Sequence, residues 1–93
     1  MGHYEKLYIK IKHNPHNVMF DDLNKLMTKV GGFNLRAGKG DHIVYSHPDL
    51  EDTIIIVDTR GRHKPLKPIY VKKCIKYFEQ VNPNFMDKDD KDE

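Results

Sequence analysis

The stretch FNLRAGKGDHIVYSHPDLEDTIIIV, residues 33–57, decides the fold. It breaks into three runs rich in β-branched and aromatic residues: Phe33–Arg36, His42–Ser46 and Thr53–Val57. Gly38-Lys39-Gly40 separates the first pair, and Pro48-Asp49-Leu50-Glu51-Asp52 separates the second. Both connections are turn chemistry and too short for a crossover, so the runs read as an antiparallel three-stranded meander. Upstream, Phe20, Leu23, Leu26, Met27 and Val30 share one helical stripe. Asp21 and Asp22 sit in its first turn, where the helix dipole favours acids. Gly31-Gly32 ends it, with one glycine supplying the left-handed cap.

Further upstream, Tyr4, Leu7, Tyr8 and Ile11 fit a helical face, while Leu7, Ile9 and Ile11 also alternate like a strand. A short helix is the preferred reading, because Asn14-Pro15-His16-Asn17 makes a natural break after it. Downstream, a basic loop from Asp58 to Lys67 leads to Pro68, a good first helical residue. Val71, Cys74, Ile75, Phe78 and Val81 then line one side of a closing helix, with Pro83 beyond its end. The expected order is (α)αβββα. It is an α+β domain, with a three-stranded antiparallel sheet, helices on one face and the other face open. A single domain is expected over residues 4–82, made of an N-terminal extension, 4–17, and a core, 18–82. Residues 83–93 are expected to form an acidic, disordered tail.

The 93 residues suffice for one domain and one small core. Hydrophobic content of 38% is too high for wholesale disorder, and the longest apolar run, Ile54–Val57, is far too short to span a bilayer. No apolar leader follows Met1, so a cytoplasmic protein without membrane partners is expected. One cysteine, Cys74, excludes an internal disulfide and a cysteine-based zinc site, and reads as a core residue. Charge is uneven. The tail 87–93 carries −3 against +2 for the whole chain, leaving residues 1–86 at +5. Between Arg60 and Lys76 there are seven cations and no acid, which suits a polyanion, either nucleic acid or an acidic protein.

An α-β-β-β-α order with a basic loop before the last helix resembles the double-stranded-RNA-binding arrangement. A more specific resemblance lies in Leu23–Phe33, ending Gly31-Gly32-Phe33, and in Gly38-Lys39-Gly40-Asp41-His42 running on to His47-Pro48-Asp49. Together with the aliphatic strand Thr53–Val57, the loop bearing Arg60, Arg62, His63 and Lys64, and Leu66-Lys67-Pro68, these residues resemble the HicA family of bacterial toxins. The similarity covers about residues 18–80. It implies a small ribonuclease toxin on a double-stranded-RNA-binding-like fold, an mRNA interferase held inactive by a HicB-like antitoxin. By position, the family's catalytic histidine falls on His42 and the glycine of its turn on Gly40. Many members carry serine where this chain has Asp41.

The chemistry is coherent on its own terms. RNA cleavage without a metal needs a base for the ribose 2′-hydroxyl, which then attacks the adjacent phosphate. Histidine suits that role because its ordinary pKa of about 6.5 lies near working pH. No cofactor is called for. Lys39, Gly40, Arg60, Arg62, His63 and Lys64 are the expected RNA-binding residues. Gly38 and Gly40 would let the backbone pass close to a phosphate and aim N–H groups at it. His63, Lys64 and Tyr45 are candidates to protonate the leaving 5′-oxygen.

Simpler readings stand beside these. A histidine opening a strand is ordinarily a solvent-facing residue, and Gly38-Lys39-Gly40 is a hairpin turn before it is a phosphate cradle. His47 supports its turn and, by alternation, lies on the face opposite His42. His13 and His16 flank Pro15, which makes a polar loop rather than a metal site. Tyr45 and Tyr70 serve the core before they stack on bases. The alternative function is a non-catalytic RNA- or protein-binding module on the same fold.

Overall fold

The computed structural model describes residues 2–85, so the acidic stretch 87–93 lies outside the described residues. The chain builds helix α1 (His3–His13), a 3₁₀ turn (Pro15–Asn17) and helix α2 (Phe20–Asn24), which continues as a π-helical turn (Lys25–Val30). Three strands follow, β1 (Asn34–Ala37), β2 (His42–Ser46) and β3 (Ile54–Asp58), and helix α3 (Pro68–Val81) closes the domain. The architecture is α+β, with an open sheet ordered β1-β2-β3 and antiparallel at both joins.

Alternation along the strands divides the sheet into two faces. Ile43, Tyr45, Ile55 and Val57 turn inward and are buried with Leu23, Leu26, Val71, Cys74 and Phe78 in one cluster. Each such side chain contributes roughly 1.5–3 kcal/mol through burial. The other face carries His42, Val44, Ser46, Ile54, Ile56 and Asp58, and the helices leave it uncovered. Ile54 and Ile56 remain 49% and 47% exposed there.

The ambiguous N-terminal segment is a helix because its helical stripe finds something to cover. Tyr8 and Ile11 are buried, and the Tyr8 ring stacks on Phe78 at 5.6 Å. The extension is therefore part of the core. Phe85 joins the same aromatic cluster, 5.5 Å from Tyr8 and 5.2 Å from Phe78, so the packed body runs past residue 82.

Two strands begin one residue later than expected, each for a local reason. Phe33 donates its N–H to the Met27 carbonyl at 3.0 Å and plugs the core beneath the helix end, instead of opening β1. Thr53 donates to the Leu50 carbonyl and completes the turn before β3. Gly32, at φ +78, is the left-handed residue that ends the helix. The last turn of α2 is wide, with Gly31 N–H bonding the Leu26 carbonyl five residues back. Thr28 contributes to this by donating its hydroxyl to the Asn24 carbonyl, the acceptor an α-helical Thr28 N–H would use.

Candidate functional site

The β1–β2 hairpin sets the position of His42. Gly38 N–H donates to the His42 carbonyl at 2.9 Å, and His42 N–H returns to the Lys39 carbonyl at 3.0 Å. Gly40 takes φ +59 at the first central position of that inner turn, a place glycine fills without strain. His42 then opens β2, exposed on the uncovered face. Its Nδ1 lies 3.2 Å from the same Lys39 carbonyl. A carbonyl only accepts, so Nδ1 is the donor in this contact, and in the neutral ring Nε2 is then the nitrogen that can accept a proton.

The loop after β3 faces this histidine from the neighbouring strand. Asp58 is the cross-strand partner of His42 in the β2–β3 register. Its Oδ1 accepts the Arg60 N–H at 2.9 Å. Thr59 is buried, and both its N–H (2.9 Å) and its hydroxyl (2.6 Å) bond the Asp41 carbonyl, tying loop to hairpin turn. Arg60, Gly61 and Arg62 then take φ of 52, 70 and 65, a left-handed turn closed by Arg62 N–H on the Thr59 carbonyl. Two arginines at positive φ are strained backbone, costing about 1–2 kcal/mol each. Side-chain anchors hold them there. Arg62 stacks over the Phe20 ring at 4.7 Å, and Arg60 bonds the Pro65 carbonyl at 3.1 Å.

A shallow cleft of about 180 Å³ results, in which Gly40, Asp41, His42, Gly61 and Arg62 share the wall. Of the residues expected from sequence, His42, Gly40 and Arg62 therefore come together. Lys39 reaches this site through its carbonyl and is not part of the cleft wall. Arg60 is turned to its own loop, and His63 and Lys64 are exposed beyond it. Arg62 is the cationic residue that lines the cleft with His42, and its guanidinium is seated over Phe20. Asp41 belongs to the turn, not to the strand, and lines the same cleft as His42.

Two expectations need correction. Tyr45 is no proton donor for this cleft, because it is fully buried on the helix side with its hydroxyl bonded to Asn24 Oδ1 at 2.8 Å. Burial also drives its pKa upward. Gly38 spends its N–H inside the hairpin and has none to offer a phosphate. Thr59 and Asp58 help build the site, although neither residue type stands out in the sequence. The signal for Asp58 is register: it follows Val57 in the strand that pairs with His42–Ser46.

The remaining chemistry-bearing residues serve structure. His47 donates from Nε2 to the Gly31 carbonyl at 3.1 Å, accepts Asp49 N–H on Nδ1 at 3.0 Å, and meets Phe33 edge-on. It supports its turn from the helix side, opposite His42. Burial pushes the Cys74 thiol up to about 12, so it stays protonated in the core. Among the described residues, no three His, Cys, Asp or Glu side chains cluster as a metal site, and no helix is long and apolar enough to cross a membrane.

Comparison of the chain with protein-family models, with curated proteins and with solved structures finds no match.

Proposed function

We propose that this protein is a metal-independent endoribonuclease of the HicA toxin type, on a double-stranded-RNA-binding-like fold, that cleaves mRNA and is neutralised by a HicB-like antitoxin. The observation that carries the reading is the orientation of His42. Its Nδ1 donates to the Lys39 carbonyl, which makes Nε2 the proton-accepting nitrogen of the neutral ring, and the exposed residue shares its cleft with Arg62. Nε2 takes the proton of a ribose 2′-hydroxyl, and the resulting alkoxide attacks the neighbouring phosphorus. The P–O5′ bond breaks, leaving a 2′,3′-cyclic phosphate. The departing 5′-oxygen takes a proton from solvent or from His63 in the adjacent loop. Arg62 offers charge to the phosphorane as it forms.

Asp41 in the same cleft and Asp58 opposite His42 in the sheet register favour a second reading, a non-catalytic RNA- or protein-binding module, because two acidic residues oppose the approach of phosphate. One experiment separates the two. Wild type and His42→Ala, matched by circular dichroism and melting, are incubated with a long single-stranded RNA in excess EDTA. Cleavage by wild type alone supports the ribonuclease. Cleavage by both assigns the activity elsewhere, and cleavage by neither leaves the binding module.

A further inference from the structure

A second concavity lies between α1 and α3, on the helix side of the sheet and away from the His42 cleft. Its volume is about 280 Å³. Ile11, Pro15, Val71 and Ile75 form an aliphatic floor, and Lys12, Lys72, Lys76 and Glu79 form the rim. The groove exists because of the N-terminal extension, which contributes Ile11, Lys12 and Pro15.

The rim is not neutral. Lys12 is committed to Glu79, which also accepts the Tyr8 hydroxyl. Lys72 and Lys76, one turn apart on α3, are exposed, and neither is within ion-pair distance of a carboxylate among the described residues. Ile69, one turn before Lys72 on α3, is 71% exposed. The surface thus pairs uncompensated positive charge with aliphatic area. A nucleic-acid backbone would use the charge but not the floor, and a base would want an aromatic platform, which the groove lining lacks. An acidic polypeptide with aliphatic side chains uses both, seating the aliphatic groups between the helices and its carboxylates on Lys72 and Lys76.

We propose that the α1–α3 groove docks an acidic, leucine- or isoleucine-bearing segment of a partner protein. The proposal is independent of the ribonuclease reading, since the groove and His42 lie on different sides of the molecule. The test is fluorescence anisotropy with the full chain and a fluorescein-labelled synthetic peptide of Glu, Asp and Leu, its leucines spaced for one helical face. Saturable binding is expected at physiological salt. Lys72→Glu with Lys76→Glu should weaken it at least tenfold while leaving the circular dichroism unchanged. Replacing the leucines by serine should weaken it about tenfold.

Absence of saturable binding overturns the proposal. So does equal binding by the serine peptide, which would reduce the groove to a charge patch. Binding that appears only after residues 86–93 are deleted hands the groove to the chain's own acidic tail and also overturns it. Displacement of the peptide by an equimolar single-stranded RNA oligonucleotide reassigns the lysines to nucleic acid, and the proposal then falls as well.

Discussion

Two histidines five residues apart on β2 and its turn should respond oppositely to removal. His47→Ala deletes the Nε2–H donor to the Gly31 carbonyl, the Nδ1 acceptor of Asp49 N–H, and an edge-on contact with Phe33 at 4.9 Å. Each hydrogen bond carries about 0.5–1.5 kcal/mol net, and the ring contact a similar amount. The losses are partly cushioned. Asn82 Nδ2 still reaches the Gly31 carbonyl at 3.3 Å, and exposed Asp49 can turn its N–H to water. The expected destabilisation is about 2–3 kcal/mol, which lowers the melting temperature of a domain this size by roughly 10–20 °C. His42 is exposed and makes one long contact, so His42→Ala should stay within about 0.5 kcal/mol of wild type. Urea and thermal unfolding followed by circular dichroism measure both. A His47→Ala variant as stable as wild type, or a His42→Ala variant as damaged as His47→Ala, would refute the division of labour.

Three further outcomes follow from particular contacts. Tyr45→Phe should lose about 1 kcal/mol with its bond to Asn24 and leave any RNA cleavage within about twofold of wild type, as read by gel assay. A large loss of cleavage would return Tyr45 to the chemistry. Gly32→Ala should cost about 1–2 kcal/mol in urea unfolding, since φ is +78 and a Cβ would stand 3.3 Å from His47 Nε2. The Tyr8–Lys12–Glu79 cluster should weaken at both ends of the pH range. Burial pushes the Glu79 carboxyl up, but hydrogen bonds from Lys12 and Tyr8 outweigh it and bring it below the ordinary 4.5. Its contribution is therefore present above 4.5 and lost as pH falls through the lower folded value. Lys12 is raised above 10.5, chiefly by its hydrogen bond to Glu79, so its contribution is lost only as pH rises through that folded value. Glu79→Gln should flatten the acid limb of stability against pH, by under about 1 kcal/mol because the pair is exposed.

The elements that position His42 are legible in the sequence because their signals are local. A G-x-G turn, a strand starting at His42, a glycine-terminated helix and a proline-led α3 each follow from residues a few positions apart. The N-terminal segment is not decided locally, because it satisfies both periods. Contact of Tyr8 with Phe78, about seventy residues away, selects the helix. Phe33 and Thr53 have the β propensity of strand residues, yet both serve backbone bonds at a turn or helix end, a demand that composition does not record.

The loop after β3 shows where such reading stops. Its cations are visible as a run, but which of them lines the His42 cleft depends on a left-handed turn that two arginines enter against their own preference. Gly61 alone hints at that conformation. The turn persists because Thr59 is locked to the Asp41 carbonyl, Arg62 is seated on Phe20, and Arg60 is tethered to Pro65. Those anchors draw on the second helix, the hairpin turn and the loop's own far end, three stretches well separated in the chain. Strain imposed largely from outside the loop thus brings Arg62 into the His42 cleft and turns Arg60 back on its own loop, although both carry the same charge.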